Sequence, residues 1–366
     1  MNDTLTCGFI GLGLIGGSIA KAFRKFYPDS RLIAYDIKQE ALKEAAKEGV
    51  IDLPLSHIGS DFSECNYIFL CAPVSENDKN LSRLKEHLSP SCLLTDVGSV
   101  KTDIHKHIKD TGLESQFIGG HPMAGSERIG YVNSKALLLE NAYYILTPGE
   151  GVAEETINNF SSLIASLGAI PMVLTCRQHD FVTAAVSHLP HVIAASLVNL
   201  IKASDSEEGI MKLIAAGGFK DITRIASSSP VMWQQICLTN KENISELLDA
   251  YIVSLKQIKK EIDASGSQQL YDFFDNARSY RDSFIDASSG PIKKSYSIRI
   301  DIADEPGALA AIATILALNQ ISIKNIGIVH NRELEGGVLQ VEFYEENSIE
   351  KASAILQSKG YSIYHK

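Results

Sequence analysis

The sequence predicts an α/β chain: a doubly wound parallel sheet, then an all-helical segment, then a small βαββαβ unit. Three observations predict this. Short apolar runs alternate with amphipathic stretches up to residue 175, strand signals fade from 177 to 285, and the alternation returns beyond a Ser288-Ser289-Gly290-Pro291 linker. With 366 residues the chain is also too long for one hydrophobic core.

In the first segment the strand-like runs are Thr6–Ile10, Arg31–Tyr35, 67–71, Leu93–Asp96, 116–119, 142–146 and 170–174, with helical patterns between them, as at 16–26 and 38–48. Strands and helices alternating at this spacing predict parallel βαβ units, closing near residue 175. The helical domain is placed at 176–290. Residues 181–202 are apolar nearly all round (Val182, Ala185, Val186, Leu189, Val192, Ile193, Leu197, Leu200), which predicts a buried helix and a dimer core. Residues 243–263 repeat apolar side chains at three and four, from Ile244 through Tyr251 to Ile262, as an amphipathic helix does. The last domain, 295–366, reads as strand Tyr296–Ile302, a helix from Asp304 to 318, strands 322–329 and 337–344, helix 349–359 and strand 361–365, a ferredoxin-like order.

Composition narrows the function. A net charge of −10 without a basic block argues against nucleic acid and against an anionic membrane surface. Cys7, Cys65, Cys71, Cys92, Cys176 and Cys237 form no CxxC pair and no Cys/His ligand spacing, so reduced thiols and no metal site are expected. No basic leader and no run of about 18 apolar residues is evident, so the expectation is a cytoplasmic protein with no membrane span.

Gly11-Leu12-Gly13-Leu14-Ile15-Gly16 matches GxGxxG between a strand and a helix, the context that motif needs. Gly11 permits the tight turn, Gly13 the approach of a pyrophosphate, and Gly16 close helix–strand packing, with the helix N-terminus facing the negative charge. Asp36, ending the second strand, suits the ribose hydroxyls and repels a 2′-phosphate, which favours NAD over NADP; Lys38 offsets part of that preference. Ala72 and Pro73 follow a later strand and border the same crevice. In Gly119-Gly120-His121-Pro122-Met123-Ala124-Gly125-Ser126-Glu127-Arg128, the histidine is a side chain able to exchange a proton near neutral pH, and the glycines are expected to let a ligand approach the backbone. His105 and His107 read as surface residues of an amphipathic helix.

Together Gly11–Gly17, the Asp96-Val97-Gly98-Ser99-Val100-Lys101 run, the 120–127 stretch, Ser187-His188-Leu189-Pro190-His191 and the 217–226 stretch around Arg224 resemble the prephenate/arogenate dehydrogenase family, over roughly residues 5–285. The resemblance implies a Rossmann-type NAD-binding domain, a helical substrate and dimerisation domain, and a homodimer. It implies oxidative decarboxylation of prephenate to 4-hydroxyphenylpyruvate, in which hydride leaves C4, CO₂ departs and the ring becomes aromatic. By the same resemblance His121 meets the C4 hydroxyl, Ser99 shares that contact and orients the histidine, and Arg224 takes the ring carboxylate. His191, Ser187 and Gly217 fall on the same pocket, Ser126 and Glu127 on the pyruvyl end, and Trp233 on the rim. His188 reads equally as a core histidine, Trp233 as a core filler, and Glu127 as a plain partner of Arg128.

Beyond Gly290, Asp304-Glu305-Pro306-Gly307-Ala308-Leu309 resembles the opening of an ACT domain, which implies an amino-acid effector, tyrosine, at the start of the helix that follows. Three alternatives stay open. Arogenate differs from prephenate only in the side-chain amine. A β-hydroxyacid dehydrogenase shares the two-domain plan and would need Lys220. An inactive tyrosine sensor would keep the fold without the chemistry.

Overall fold

A computed structural model describes residues 5–125, 128–286, 296–302, 305–329 and 337–365; Ser126, Glu127, Asp304 and the 288–291 linker lie outside the described residues. The chain forms two compact units, Met1–Gly266 and Ser267–Lys366.

The first unit opens with β1 (Thr6–Ile10), α1 (Leu14–Phe26), β2 (Arg31–Tyr35), α2 (Gln39–Lys47), β3 (Leu53–Leu55), β4 (Tyr67–Leu70), α3 (Val74–Leu84), β5 (Leu93–Asp96) and α4 (Thr102–Thr111). Its strands form a parallel sheet in the order β3-β2-β1-β4-β5. Near-continuous apolar strands such as Phe9 and Ile10 or Ile68, Phe69 and Leu70 are fully buried, as strands covered on both faces require. Phe69 stacks on Phe9 at 5.2 Å and meets Phe23 of α1 edge-on at 5.7 Å, fixing that helix against the sheet. The sequence reading misses β3 because it is a three-residue edge strand holding Pro54, which cannot donate to a ladder.

The expectation of one doubly wound sheet is corrected in its second half. β6 (Ile118–Pro122), β7 (Tyr143–Pro148) and β8 (Ile170–Val173) make a separate sheet, with α5 (Glu154–Ser166) between the last two. β6 runs antiparallel to β7, β7 parallel to β8, and a Leu94–Phe117 bridge joins β5 to the start of β6.

Next come α6 (Cys176–Thr183), a π-turn at Ala184–His188, α7 (Leu189–Ser204), α8 (Ile210–Ile214), α9 (Gly217–Thr223), α10 (Pro230–Thr239) and α11 (Lys241–Asp263). The 181–202 stretch is helical but not buried: Val186 and Leu200 are 63% and 61% exposed. It belongs to a continuous Cys176–Ser204 helix that is, by length and composition, apolar enough to cross a membrane, which corrects the expectation that no such run exists. The segments packed around it within the first unit leave much of it exposed, a point periodicity alone cannot reveal.

The second unit holds α12 (Ser267–Asp286), β9 (Tyr296–Ile302), α13 (Ala308–Leu318), β10 (Ile323–Val329), β11 (Gly337–Phe343), α14 (Asn347–Ser358) and β12 (Ile363–His365). The sheet is antiparallel in the order β10-β11-β9-β12. Alternate residues Ile298, Ile300 and Ile302 of β9, with Leu339 and Val341, pack on Ile312, Leu316, Ala352 and Leu356.

Candidate active site

The glycine loop closes over the end of β1. Gly11 has φ +97°, and a Cβ there would lie 2.6 Å from the Ala72 nitrogen, so only glycine fits. At Gly16 an added Cβ would strike the Gly11 carbonyl and stand 2.9 Å from Cys71 Cβ. Gly13 differs: a Cβ there would meet nothing within 4 Å. The loop is therefore open to a ligand at Gly13 and closed against the protein at Gly11 and Gly16. α1 begins at Leu14 and Ile15 with no side-chain cap and no acidic residue in its first turn, which leaves its amides and dipole for an anion. Asp36 clasps the loop, Oδ2 accepting from Leu12 N at 2.6 Å and Oδ1 from Lys38 N at 2.7 Å. Ala72 is half-buried against this loop and Pro73, exposed, begins the turn into α3. These residues fit a dinucleotide.

His121 sits on β6, one residue after Gly120, whose N–H donates to Asp96 at the carboxyl end of β5. Its Nδ1 lies 2.8 Å from Nε2 of His179, whose Nδ1 lies 2.7 Å from Asp180 Oδ1. The carboxylate can only accept, so His179 donates to it from Nδ1. With His179 neutral, its Nε2 accepts from His121 Nδ1–H, and Nε2 of His121 is left with its lone pair. Asp180 is itself fixed by the amides of Lys101 at 2.7 Å and Thr102 at 2.8 Å. Burial raises its pKa, but the hydrogen bonds from His179 first, then from Thr102 and Lys101, hold the carboxyl below the ordinary value. Burial first, then His179, Lys101 and His188, push the His121 pKa well below 6.5 against the opposing pull of Asp180. The ring is an uncharged acceptor at neutral pH.

The glycines before His121 do not open the backbone to a ligand, contrary to the sequence reading. A Cβ on Gly120 would lie 2.6 Å from the Asp96 carbonyl and 2.9 Å from the Tyr144 ring, and one on Gly119 would strike Thr147. They admit close packing of neighbouring strands. Ser99 follows β5 and is partly exposed. The group that orients His121 through Nδ1 is His179, a residue that the sequence reading missed together with Asp180. His105 is corrected too: it is half-buried, bonds Thr147 Oγ1 at 2.9 Å, lies edge-on to Phe117 and is held at a pKa of about 4, chiefly by burial.

On the helical side, His191 Nδ1 donates to the Ser187 carbonyl at 2.9 Å, and its ring stacks on Trp233 at 3.7 Å. Trp233 also meets His188 edge-on at 6.0 Å. Trp233 and His191 line a groove of about 700 Å³ together with Val192, Ile225 and Ala226. Burial lowers the His191 pKa, the Ser187 carbonyl opposes this, and nearby Arg224 lowers it further. Arg224 is exposed at the end of α9, whose first residue is Gly217. His188 is buried within the π-turn, and Asn240 Nδ2, which donates to the Asp180 carbonyl at 2.8 Å, approaches its Nδ1 at 3.2 Å.

In the second unit Gly307, at φ +96°, caps α13. Pro306 and Leu309 are exposed and Ala308 half-buried at that helix start.

Residues 19–173 match the family described as prephenate dehydrogenase, nucleotide-binding domain, and residues 175–276 match prephenate dehydrogenase, dimerization domain. A relative from Bacillus subtilis (strain 168), named prephenate dehydrogenase, is 38% identical over 362 residues, 98% of this chain and 97% of its own. The chain belongs to the prephenate dehydrogenase family. Among solved structures, the prephenate dehydrogenase of A. aeolicus in complex with hydroxyphenyl propionate and NAD+ aligns with a TM-score of 0.73 and 31% identity, covering 77% of this chain and 99% of that one. Synechocystis arogenate dehydrogenase aligns with a TM-score of 0.69 and 30% identity, over 76% of this chain and 100% of that one. The dimerization match begins where the exposed Cys176–Ser204 helix begins.

Proposed function

We propose that the chain oxidises and decarboxylates prephenate to 4-hydroxyphenylpyruvate, using NAD. The observation that carries this reading is the Asp180–His179–His121 relay, which presents an uncharged Nε2 acceptor on β6. When bound, NAD accepts the hydride that leaves C4 of the substrate. Gly13 and the uncapped start of α1 would hold its pyrophosphate, with Gly11 shaping the turn, and Asp36 would hold its ribose. His121 Nε2 takes the hydrogen bond, and then the proton, of the C4 hydroxyl as the C4–H bond breaks. The bond from C1 to its carboxylate then breaks, its electron pair enters the ring, and the proton returns from His121 to the phenolic oxygen. Such acid–base assistance contributes about 10²–10⁴-fold. Arg224, with His191 and Trp233 beside it, takes the ring carboxylate, where a planar guanidinium binds bidentately. Ser99 supports the hydroxyl contact.

A second reading, arogenate as substrate, is favoured by the Synechocystis arogenate dehydrogenase likeness. Side-by-side kcat/KM on the two substrates with NAD tests the proposal. It stands if prephenate is turned over with equimolar NADH and CO₂, and it falls if neither prephenate nor arogenate yields NADH.

The regulatory reading rests on the second unit. Its βαββαβ order with strands arranged β10-β11-β9-β12 supports a ferredoxin-like module, and the turn from Glu305 to Leu309 supports an ACT domain with tyrosine as effector at the start of α13. A homodimer is supported by exposed Val186, Leu200 and Leu213 on the helical segment. A cytoplasmic location is supported by six unpaired cysteines.

A further inference from the structure

Strands β5 and β6 begin as neighbours, bridged at Leu94–Phe117, and then part. Where they part, the N–H and C=O of Gly120 lose a ladder partner in the protein interior, a loss that costs free energy unless other groups replace it. Asp96 and Lys101 are those groups. Asp96 Oδ1 accepts from Gly120 N at 3.2 Å, and Lys101 Nζ donates to Gly120 O at 2.6 Å. The same ammonium donates to Asp96 Oδ1 at 2.6 Å and Oδ2 at 2.5 Å. Three acceptors thus meet three donors, a match that the flat fork of arginine does not reproduce. Lys101 is fully buried and Asp96 is 2% exposed.

The residue acts at both ends of the relay. Its ammonium holds the carbonyl next to His121, while its backbone N–H holds Asp180 at 2.7 Å. The contacts close into a ring: Lys101, Gly120, His121, His179, Asp180 and Lys101 again.

We propose that Lys101 is a positioning residue for His121, one side chain that fixes the strand carrying the imidazole and the carboxylate that orients it. The inference rests on the reading of His121 as the acceptor in the proposed reaction. The titratable groups facing His121 are His179 and Asp180 on α6, Lys101 ahead of α4 and His188 in the π-turn. Lys101 opposes an imidazolium there.

The test compares wild type with Lys101→Met and with the Asp96→Asn/Lys101→Met pair. Three quantities are read: kcat and KM with prephenate and NAD, and the NMR titration of the His121 ring in substrate-free protein, assigned through His121→Asn. Lys101→Met is expected to lower kcat about 100-fold with KM changed less than about threefold, the signature of a displaced reacting group. It is expected to move the His121 titration to higher pH, because a cation is gone and Asp96 remains. The double variant removes both charges, so its titration returns toward wild type, yet kcat stays low because the Gly120 carbonyl still lacks its donor. Should Lys101→Met fail to fold, the double variant decides alone. A folded variant with kcat within about threefold of wild type overturns the proposal, as does an unmoved titration in Lys101→Met or failure of both variants to fold. Failure of the functional reading looks different: wild type then makes no NADH from prephenate, while the titration shift in Lys101→Met is still seen.

Discussion

Nδ1 of His121 stands 2.8 Å from Nε2 of His179, and this pairing decides which nitrogen of His121 faces away as an acceptor. Replacing Asp180 by Asn tests it. An amide cannot accept from His179 Nδ1 and from the Lys101 and Thr102 amides at once, because one of its two ends is a donor. Either the amide oxygen takes the place of Oδ1 and the NH₂ is forced against the Thr102 amide, or the amide turns over and the His179 tautomer reverses; both displace the relay. Asp180→Asn is expected to lower kcat by about 10²–10⁴-fold with little change in KM, measured at saturating prephenate and NAD.

The acid limb of the pH profile follows from the lowered His121 pKa. Neutral imidazole is the active form. Protonation, and loss of rate, sets in only as pH falls through a value below the usual 6.5 of a histidine. The kcat/KM profile is therefore expected to stay flat from pH 7.5 to about 6.5 and to fall at lower pH. An acid limb centred above 6.5 contradicts the burial and charge argument.

The glycine loop separates fold from cofactor binding. Gly13→Ala adds a methyl where nothing lies within 4 Å, so Tm is expected to hold while the Kd for NAD rises about tenfold or more. Gly11→Ala meets the Ala72 nitrogen at 2.6 Å in a backbone with φ +97°, and is expected to lose Tm as well. Differential scanning calorimetry with NAD titration distinguishes the two.

Much of this site was legible in the sequence, and the reasons are physical. GxGxxG is readable because the turn, the close approach and the helix start each demand glycine at a set position. His121 is readable from its motif. His179 and Asp180 are not: in Gln178-His179-Asp180-Phe181 they look like an ordinary polar turn of helix, and only the docking of α6 on α4 and β6 buries them. Strand direction was illegible for the same kind of reason, since the short apolar runs at 116–119 and 142–146 do not distinguish parallel from antiparallel pairing. In the Cys176–Ser204 helix, apolar content predicts cover but not whether the cover comes from the same chain.

Trp233 is the single tryptophan of the chain, stacked on His191 at 3.7 Å in the groove beside Arg224. Its emission is expected to change on addition of 4-hydroxyphenylpyruvate, and that response to disappear in Arg224→Met. A titration that leaves the emission unchanged in wild type removes Trp233 from the pocket.

The most direct measurement is kcat of His121→Asn with saturating prephenate and NAD at pH 7.5, beside wild type. Loss of the acceptor is expected to lower kcat by about 10²–10⁴-fold while NAD affinity is kept. A His121→Asn enzyme that retains most of the wild-type kcat contradicts the account.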